Sequence, residues 1–321
     1  MRGKNSRVKV TASCEESVEY STQRIWLYGK LVLTALIWGG TFVAGRSIAN
    51  QIDPFSGAFL RFGSASIFLI AFVWHTYGKI PKLNKKDLLL VFLLGLTGVF
   101  AYNIFFFSGL RTISASRASL IIASNPAFIA LFSCWLLNER LNLLKIFGIC
   151  LSMSGAVVVI SRGNPFALLN GGIGLGEIYI FGCVLSWVSY SLIGKSAMTR
   201  LTPLVAVTYS CIIGAGCLFP AACAQGLCRS LGDYSLIVWG GVLYLGFFGS
   251  AVGFIWYYEG IRALGASRAG VFINLVPVSA ILLAHFILKE KLDGSLLVGA
   301  LLVIAGVYYT NRPAGRQSRE S

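Results

Sequence analysis

The sequence predicts an all-α integral membrane protein with ten transmembrane helices arranged as two inverted five-helix repeats. Three observations point there. First, the chain of 321 residues is 56% hydrophobic and 12% charged, about half the charge of an ordinary soluble domain. Its apolar runs are about 18–24 residues long, enough to cross ~30 Å of hydrocarbon as helix. Second, the stretch Gly109 to Gly155 returns 151 residues later without a gap. Arg111 matches Arg262, Ala115-Ser116-Arg117-Ala118 matches Ala266-Ser267-Arg268-Ala269, and Pro126 matches Pro277. Glu139 matches Glu290, and Gly148 and Gly155 match Gly299 and Gly306. Third, Lys and Arg are biased to one side of the expected spans.

The ten spans fall near 31–50, 56–76, 87–108, 117–137, 143–161, 174–194, 203–224, 236–259, 269–288 and 294–310. Residues 1–29 are polar at first, lack a signal-peptide pattern, and read as a disordered cytoplasmic tail. Asp53-Pro54 breaks the chain before the second span, and Gly78 to Asp87 separates the second from the third. Asn138 to Asn142 follows the fourth. A Gly- and Asn-rich linker at 163–173 divides the first repeat (30–162) from the second (174–311), and 312–321 forms a second polar tail. The repeat reaches the first span of each half: Trp38, Gly45 and Pro54 match Trp187, Gly194 and Pro203 at an offset of 149. With the N-terminus inside, nineteen of the twenty-seven Lys and Arg residues lie on the inner side, so both termini are expected in the cytoplasm. Five spans per half then put the second copy in upside down, an arrangement common among secondary transporters.

The same features exclude other classes. A soluble α/β core needs strands of 4–8 residues, not runs this long. The net charge of +15 lies in junctions and reads as membrane orientation, not nucleic-acid binding. No GxxxxGK[ST] phosphate loop and no Cys/His cluster with metal spacing occurs, so no cofactor, metal or catalytic residue is expected. Cys223 and Cys228 lie close enough in sequence to pair on an oxidising side.

Two halves, each with a Trp in the first span, a Gly-Leu/Ile-Arg…Ala-Ser-Arg-Ala junction, a Pro in the fourth span and an Asn-Glu-Arg-Leu or Lys-Glu-Lys-Leu end, resemble the EamA family of the drug/metabolite transporter superfamily. The resemblance covers about residues 30 to 310. It implies a ten-helix fold with a cavity between the halves, and export of a small metabolite, amino acid or amphipathic drug-like compound across the bacterial inner membrane. A lipid-carrier flippase is the alternative, and a membrane-embedded enzyme a more distant one. A homo-oligomer is compatible with the glycine-rich fifth and tenth spans, which pack either within the molecule or between copies.

Proline frees backbone carbonyls, which hydrocarbon tolerates only when they are buried or face a wet cavity. Pro126 and Pro277, with nearby Asn125 and Asn274, are therefore expected to line the cavity as kinked segments. Trp38, Trp187 and Trp256, with Tyr102 and Tyr190, are expected as aromatic lining. Arg61 is the deepest cation of the first half. Arg117 and Arg268 begin the fourth and ninth spans, where the helix dipole disfavours a cation without a partner. Ser116 and Ser267 are expected to cap those helices. Glu259 is expected to pair with Arg262 one turn on. With Arg61, Arg117, Arg268 and Glu259, His285 completes the coupling or gating candidates.

Overall fold

The computed structural model describes residues 4–137, 143–164, 174–264, 272–273 and 275–311. Every regular element among them is helical. In chain order these are α1 (Lys4–Ala49), α2 (Pro54–Tyr77), α3 (Lys85–Leu94), a π-helical segment (Gly95–Ala101), α4 (Tyr102–Leu110), α5 (Ala115–Ile122), α6 (Asn125–Leu137) and α7 (Leu143–Ile160). The second half gives α8 (Leu175–Ala197), α9 (Pro203–Ala224), a short α10 (Leu227–Ser230), α11 (Leu236–Leu243), a second π segment (Tyr244–Val252), α12 (Gly253–Leu264), α13 (Leu275–Leu288) and α14 (Gly294–Asn311).

Seven stretches are long and apolar enough to cross a membrane: 25–49, 54–77, 85–110, 143–160, 175–194, 203–224 and 236–257. Helices α13 and α14 are apolar but shorter. Local chemistry sets the ends. Asp53 caps α2, its carboxylate accepting from the Phe55 N–H at 2.9 Å, and Pro54 occupies the first turn where its missing N–H costs nothing. Asn84 caps α3 through the Asp87 N–H at 2.8 Å. Gly78 closes α2 at φ 66°, a conformation open to glycine.

Three expectations change. The first helix begins at Lys4, where a disordered tail was expected; the chain from Lys4 to Tyr28 contains no Gly or Pro, so nothing interrupts the helix that Trp38 continues. The fourth span is not one kinked helix. It breaks into α5 and α6 at Ala123-Ser124, and Pro126 takes the second position of α6, where proline is tolerated as a helix starter. Pro277 lies in α13, and residue 274, just before that helix's first described residue, is outside the described residues. Finally, Ser116 does not cap α5: Ser114 does, its hydroxyl accepting from the Arg117 N–H at 3.2 Å. The 163–173 linker, apart from Gly163 and Asn164, and both Glu139 and Ser267 lie outside the described residues.

The two halves interleave. Helix α1 packs along α13 and α12, α2 along α9 and the second π segment, and α4 along α8. The glycine-rich α7 and α14 lie against each other along their length. A Cβ on Gly148 would come within 2.7 Å of the Gly306 carbonyl, and one on Gly306 within 2.6 Å of the Gly148 carbonyl. Gly155 and Gly299 repeat the arrangement two turns away, at 2.9 and 3.1 Å. The backbones meet with no room for a side chain, as close packing in lipid favours.

Replacing Gly155 by Leu is therefore expected to cost about 2 kcal/mol or more through overpacking, read as a lower unfolding midpoint of the detergent-solubilised protein. Gly216→Ala faces open space within α9 and should raise the midpoint slightly, since alanine holds a helix better than glycine by about 0.5–1 kcal/mol.

Candidate functional site

A narrow cavity of about 30 Å³ lies between the two halves. From the first half α2 supplies Arg61 and Phe62, the first π segment Gly98 and Val99, and α4 Tyr102 and Asn103. From the second half come Trp187 and Tyr190 of α8, Val207, Ser210 and Cys211 of α9, and Phe254 of α12. In this conformation the cleft is nearly closed, but its chemistry is that of a small-molecule site: mostly apolar and aromatic walls with a few convergent polar groups.

The first π-helical segment supplies Gly98 and Val99 to the wall, and the second reaches the site through Ser250, whose hydroxyl accepts from Arg61. A π turn adds a residue to the helix and loosens the regular bonding ladder, which is why such turns gather at functional sites. Both segments carry glycines at the same register, Gly95 and Gly98 in one, Gly246 and Gly249 in the other. These glycines let neighbours approach. A Cβ on Gly95 would meet the Ser210 carbonyl at 2.9 Å, and one on Gly246 the Arg61 carbonyl at 2.8 Å. Backbone acceptors in the segments find side-chain donors. Asn103 Nδ2 donates to the Val99 carbonyl at 2.8 Å, Ser250 Oγ to that of Leu245 at 3.0 Å, and the Trp38 indole N–H to that of Gly249 at 2.9 Å.

Arg61 lies at the junction, 7% exposed. Its Nε donates to Ser250 Oγ at 3.2 Å and its Nη1 to Asn103 Oδ1 at 3.1 Å. The guanidinium carbon sits 5.1 Å from the centre of the Phe62 ring and 5.7 Å from that of Phe106, within cation–π range. The aromatic wall is continuous: Tyr102 meets Trp187 at 5.5 Å between centroids, Trp187 meets Tyr190 at 5.2 Å and Phe254 at 6.4 Å, and Trp38 backs Phe254 at 5.6 Å.

Of the residues singled out from sequence, Tyr102, Trp187, Tyr190 and Arg61 meet in this cleft, and Trp38 stands behind it. Asn125, Pro126, Trp256 and Pro277 lie outside it. Helix α6, with Pro126, packs on α7 and α8, and the Asn125 carbonyl oxygen is buried with no partner among the described residues. Asn274 and Arg268 fall outside the described residues. His285 is exposed at the end of α13, its Nδ1 2.9 Å from the Glu290 carbonyl, so it serves a helix terminus and not the cleft. Glu259 pairs with Lys30 at 2.7 Å; α1 runs beside α12 and brings Lys30 to it, while the Arg262 side chain lies outside the described residues. Asn103, Ser210, Ser250 and Phe254 were missed, although a lone Asn and Ser within apolar runs, beside glycines repeated 151 residues apart, carry the signal.

A second cluster ties the halves together at one end. The Glu290 carboxylate accepts from the Ala115 N–H at 2.8 Å, the Ser116 N–H at 3.1 Å and the Ser116 hydroxyl at 2.7 Å. It thus places a negative charge on the positive end of α5. Arg117, 8% exposed, donates to the Val159 carbonyl and pairs with Asp293 at 3.2 Å. The partners that the helix dipole demands of Arg117 are thus a carbonyl and a carboxylate. Nearby, Arg111 donates to the carbonyls of Ala49 and Ile52 at 2.8 and 2.9 Å, and Arg46 to that of Leu110, cations set on helix C-termini. The thiols of Cys223, at the end of α9, and Cys228, on α10, stand 3.4 Å apart.

Interleaved apolar helices around a polar-anchored cleft define a multi-pass membrane protein. The chain matches the EamA-like transporter family model twice, over residues 25–161 and 174–312, and it belongs to that family. It is 31% identical over 283 residues to an uncharacterized transporter of Archaeoglobus fulgidus, covering 88% of this chain and 97% of the other. It is 29% identical to the uncharacterized transporter YyaM of Bacillus subtilis, with coverages of 88% and 92%. It is also 27% identical to a probable terminal-alkyne amino-acid exporter of Streptantibioticus cattleyicolor, with coverages of 91% and 95%. A crystal structure with a TM-score of 0.61 and 22% identity, covering 89% of this chain and 97% of its own, shares the fold. The family and these relatives are transporters, not enzymes.

Asp293 carries a pH prediction. Partial burial opposes its charge, but the Ser295 hydroxyl, the Leu296 N–H and Arg117 outweigh that and hold the carboxyl below the usual range. A depressed carboxylate pKa stabilises the fold above the unfolded value, about 3.9, and that contribution fades as pH falls through the folded value. The unfolding midpoint of Asp293→Asn should lie below that of the parent at neutral pH and converge with it below about pH 4.

Proposed function

We propose that this protein is a secondary transporter that exports a small metabolite, amino acid or amphipathic drug-like compound across the bacterial inner membrane. Its ten spans form two inverted five-helix repeats with both termini cytoplasmic. The observation that carries this reading is the cleft itself, which takes its walls from both halves at matching register. Seven residues after the helix-starting prolines, Arg61 and Ser210 face it; Asn103 and Phe254, 151 residues apart, do so as well. A site shared by two copies is what rocking of one copy against the other requires.

In this topology the Glu290, Ser116, Arg117 and Asp293 cluster lies on the outer side and holds that side shut, while the Lys30–Glu259 and Arg200–Asp87 pairs lie on the inner side. Among the described residues the cleft lining holds no Asp or Glu, and both proton antiport and facilitated diffusion fit it.

Efflux from cells overexpressing the chain, scored over a broad panel of amino acids and drugs, tests the export reading. Accumulation of at least one compound should fall, and Trp187→Ala should reduce that effect on the order of tenfold. No change across the panel refutes export. In a variant retaining Cys211 as its single thiol, Glu290→Ala should speed labelling by a membrane-impermeant reagent added outside. A periplasm-active reporter fused to the C-terminus should be silent.

A further inference from the structure

From Arg61 we infer that the cleft is a carboxylate site, which binds a small monoanion by its carboxylate with an apolar or aromatic body against the rings. The inference rests on the transporter reading and names the substrate chemistry. A guanidinium offers five N–H donors in a rigid planar fork. Arg61 uses Nε on Ser250 and one donor of Nη1 on Asn103; Nη2 has no hydrogen-bond partner among the described residues. Those residues also supply no carboxylate to Arg61, which is 7% exposed and lines the cleft. A buried cation without a counter-charge is costly in a membrane protein and marks a binding path. The Phe62 and Phe106 rings soften that cost but leave the net charge in place.

The duplication removes the alternative that Arg61 serves only to hold helices together. Its mate Ser210 occupies the same register on α9, beside the same kind of π segment, and carries no charge. The fold therefore tolerates a hydroxyl where Arg61 stands, and the cation is an addition to one copy. Asn103 and Ser250 hold the fork from two sides, one from each half, which fixes its plane as bidentate recognition requires. A single cation matches a carboxylate better than a phosphate dianion, and Tyr102, Trp187 and Phe254 offer ring faces to the rest of the molecule.

The test is calorimetric titration of the purified full chain with phenylacetate, phenylacetamide, 3-phenylpropanoate and 3-phenylpropanamide. The two carboxylates should bind at least about tenfold tighter than their uncharged-end analogues. Arg61→Gln should abolish that preference, and Arg61→Lys should keep a reduced one. Equal binding of carboxylate and amide by the parent, an undiminished preference in Arg61→Gln, or no binding of either carboxylate overturns the inference. If Arg61→Gln fails to fold, the parent and Arg61→Lys decide it. Efflux with no preference for carboxylates sinks the Arg61 assignment and leaves export standing. Carboxylate binding through Arg61, with no flux of any compound, does the reverse.

Discussion

Hydrocarbon offers no hydrogen bonds, and the architecture follows from that constraint. Every departure from regular helix inside the apolar zone must find its partners within the protein. The two π segments are such departures, and each is answered by side chains: Asn103 and Ser250 from beside them, Trp38 from across the other half. Those donors are held in place by what they satisfy. Asn103 and Ser250 then present their oxygens to Arg61, so the ordering of the backbone and the anchoring of the cleft's one cation are a single network. The ends obey the same rule. Glu290 answers the free N–H groups of α5, and Arg111 and Arg46 answer the last carbonyls of α1 and α4.

The duplication supplies symmetry in the scaffold and asymmetry in the site. Both copies have a helix opened by proline, a π segment with paired glycines and an aromatic first helix. Within the cleft they diverge: arginine against serine, asparagine against phenylalanine. One wall is polar and charged, the other aromatic. A ligand with one charged end and one apolar end is the molecule that such a pair of walls sorts.

Much of this was legible in the sequence, for identifiable reasons. Long apolar runs and an ungapped repeat are unambiguous because span length and register leave little freedom, and so most helices lie where they were expected. Tyr102, Trp187 and Tyr190 stood out because Trp and Tyr deep in apolar runs carry a polar handle, and the structure brings them to one cleft. Proline shows that a helix cannot continue unchanged, but not whether it kinks or restarts, and at Pro126 α6 restarts. The Lys30–Glu259 pair was invisible because it depends on the packing of α1 on α12, 229 residues apart in sequence. The π segments left no sequence mark beyond glycine spacing, since the extra residue is a property of the backbone. Glu290 serves the start of α5, a contact 174 residues away that no local pattern announces.

The seam between α7 and α14 has a consequence for how such a gene drifts. Gly148 is filled by the backbone of Gly306, the repeat mate of Gly155, and Gly155 by that of Gly299, the mate of Gly148. Neither copy can acquire a side chain there without displacing the other, and a smaller side chain on the facing helix does not make room, because main-chain atoms already stand within 3.1 Å of each added carbon. The lining of the cleft carries no such mutual veto. Copies locked along one edge and unbound at their centre will diverge from the middle outwards, and a new cargo specificity can evolve in a single half while the other remains as it was.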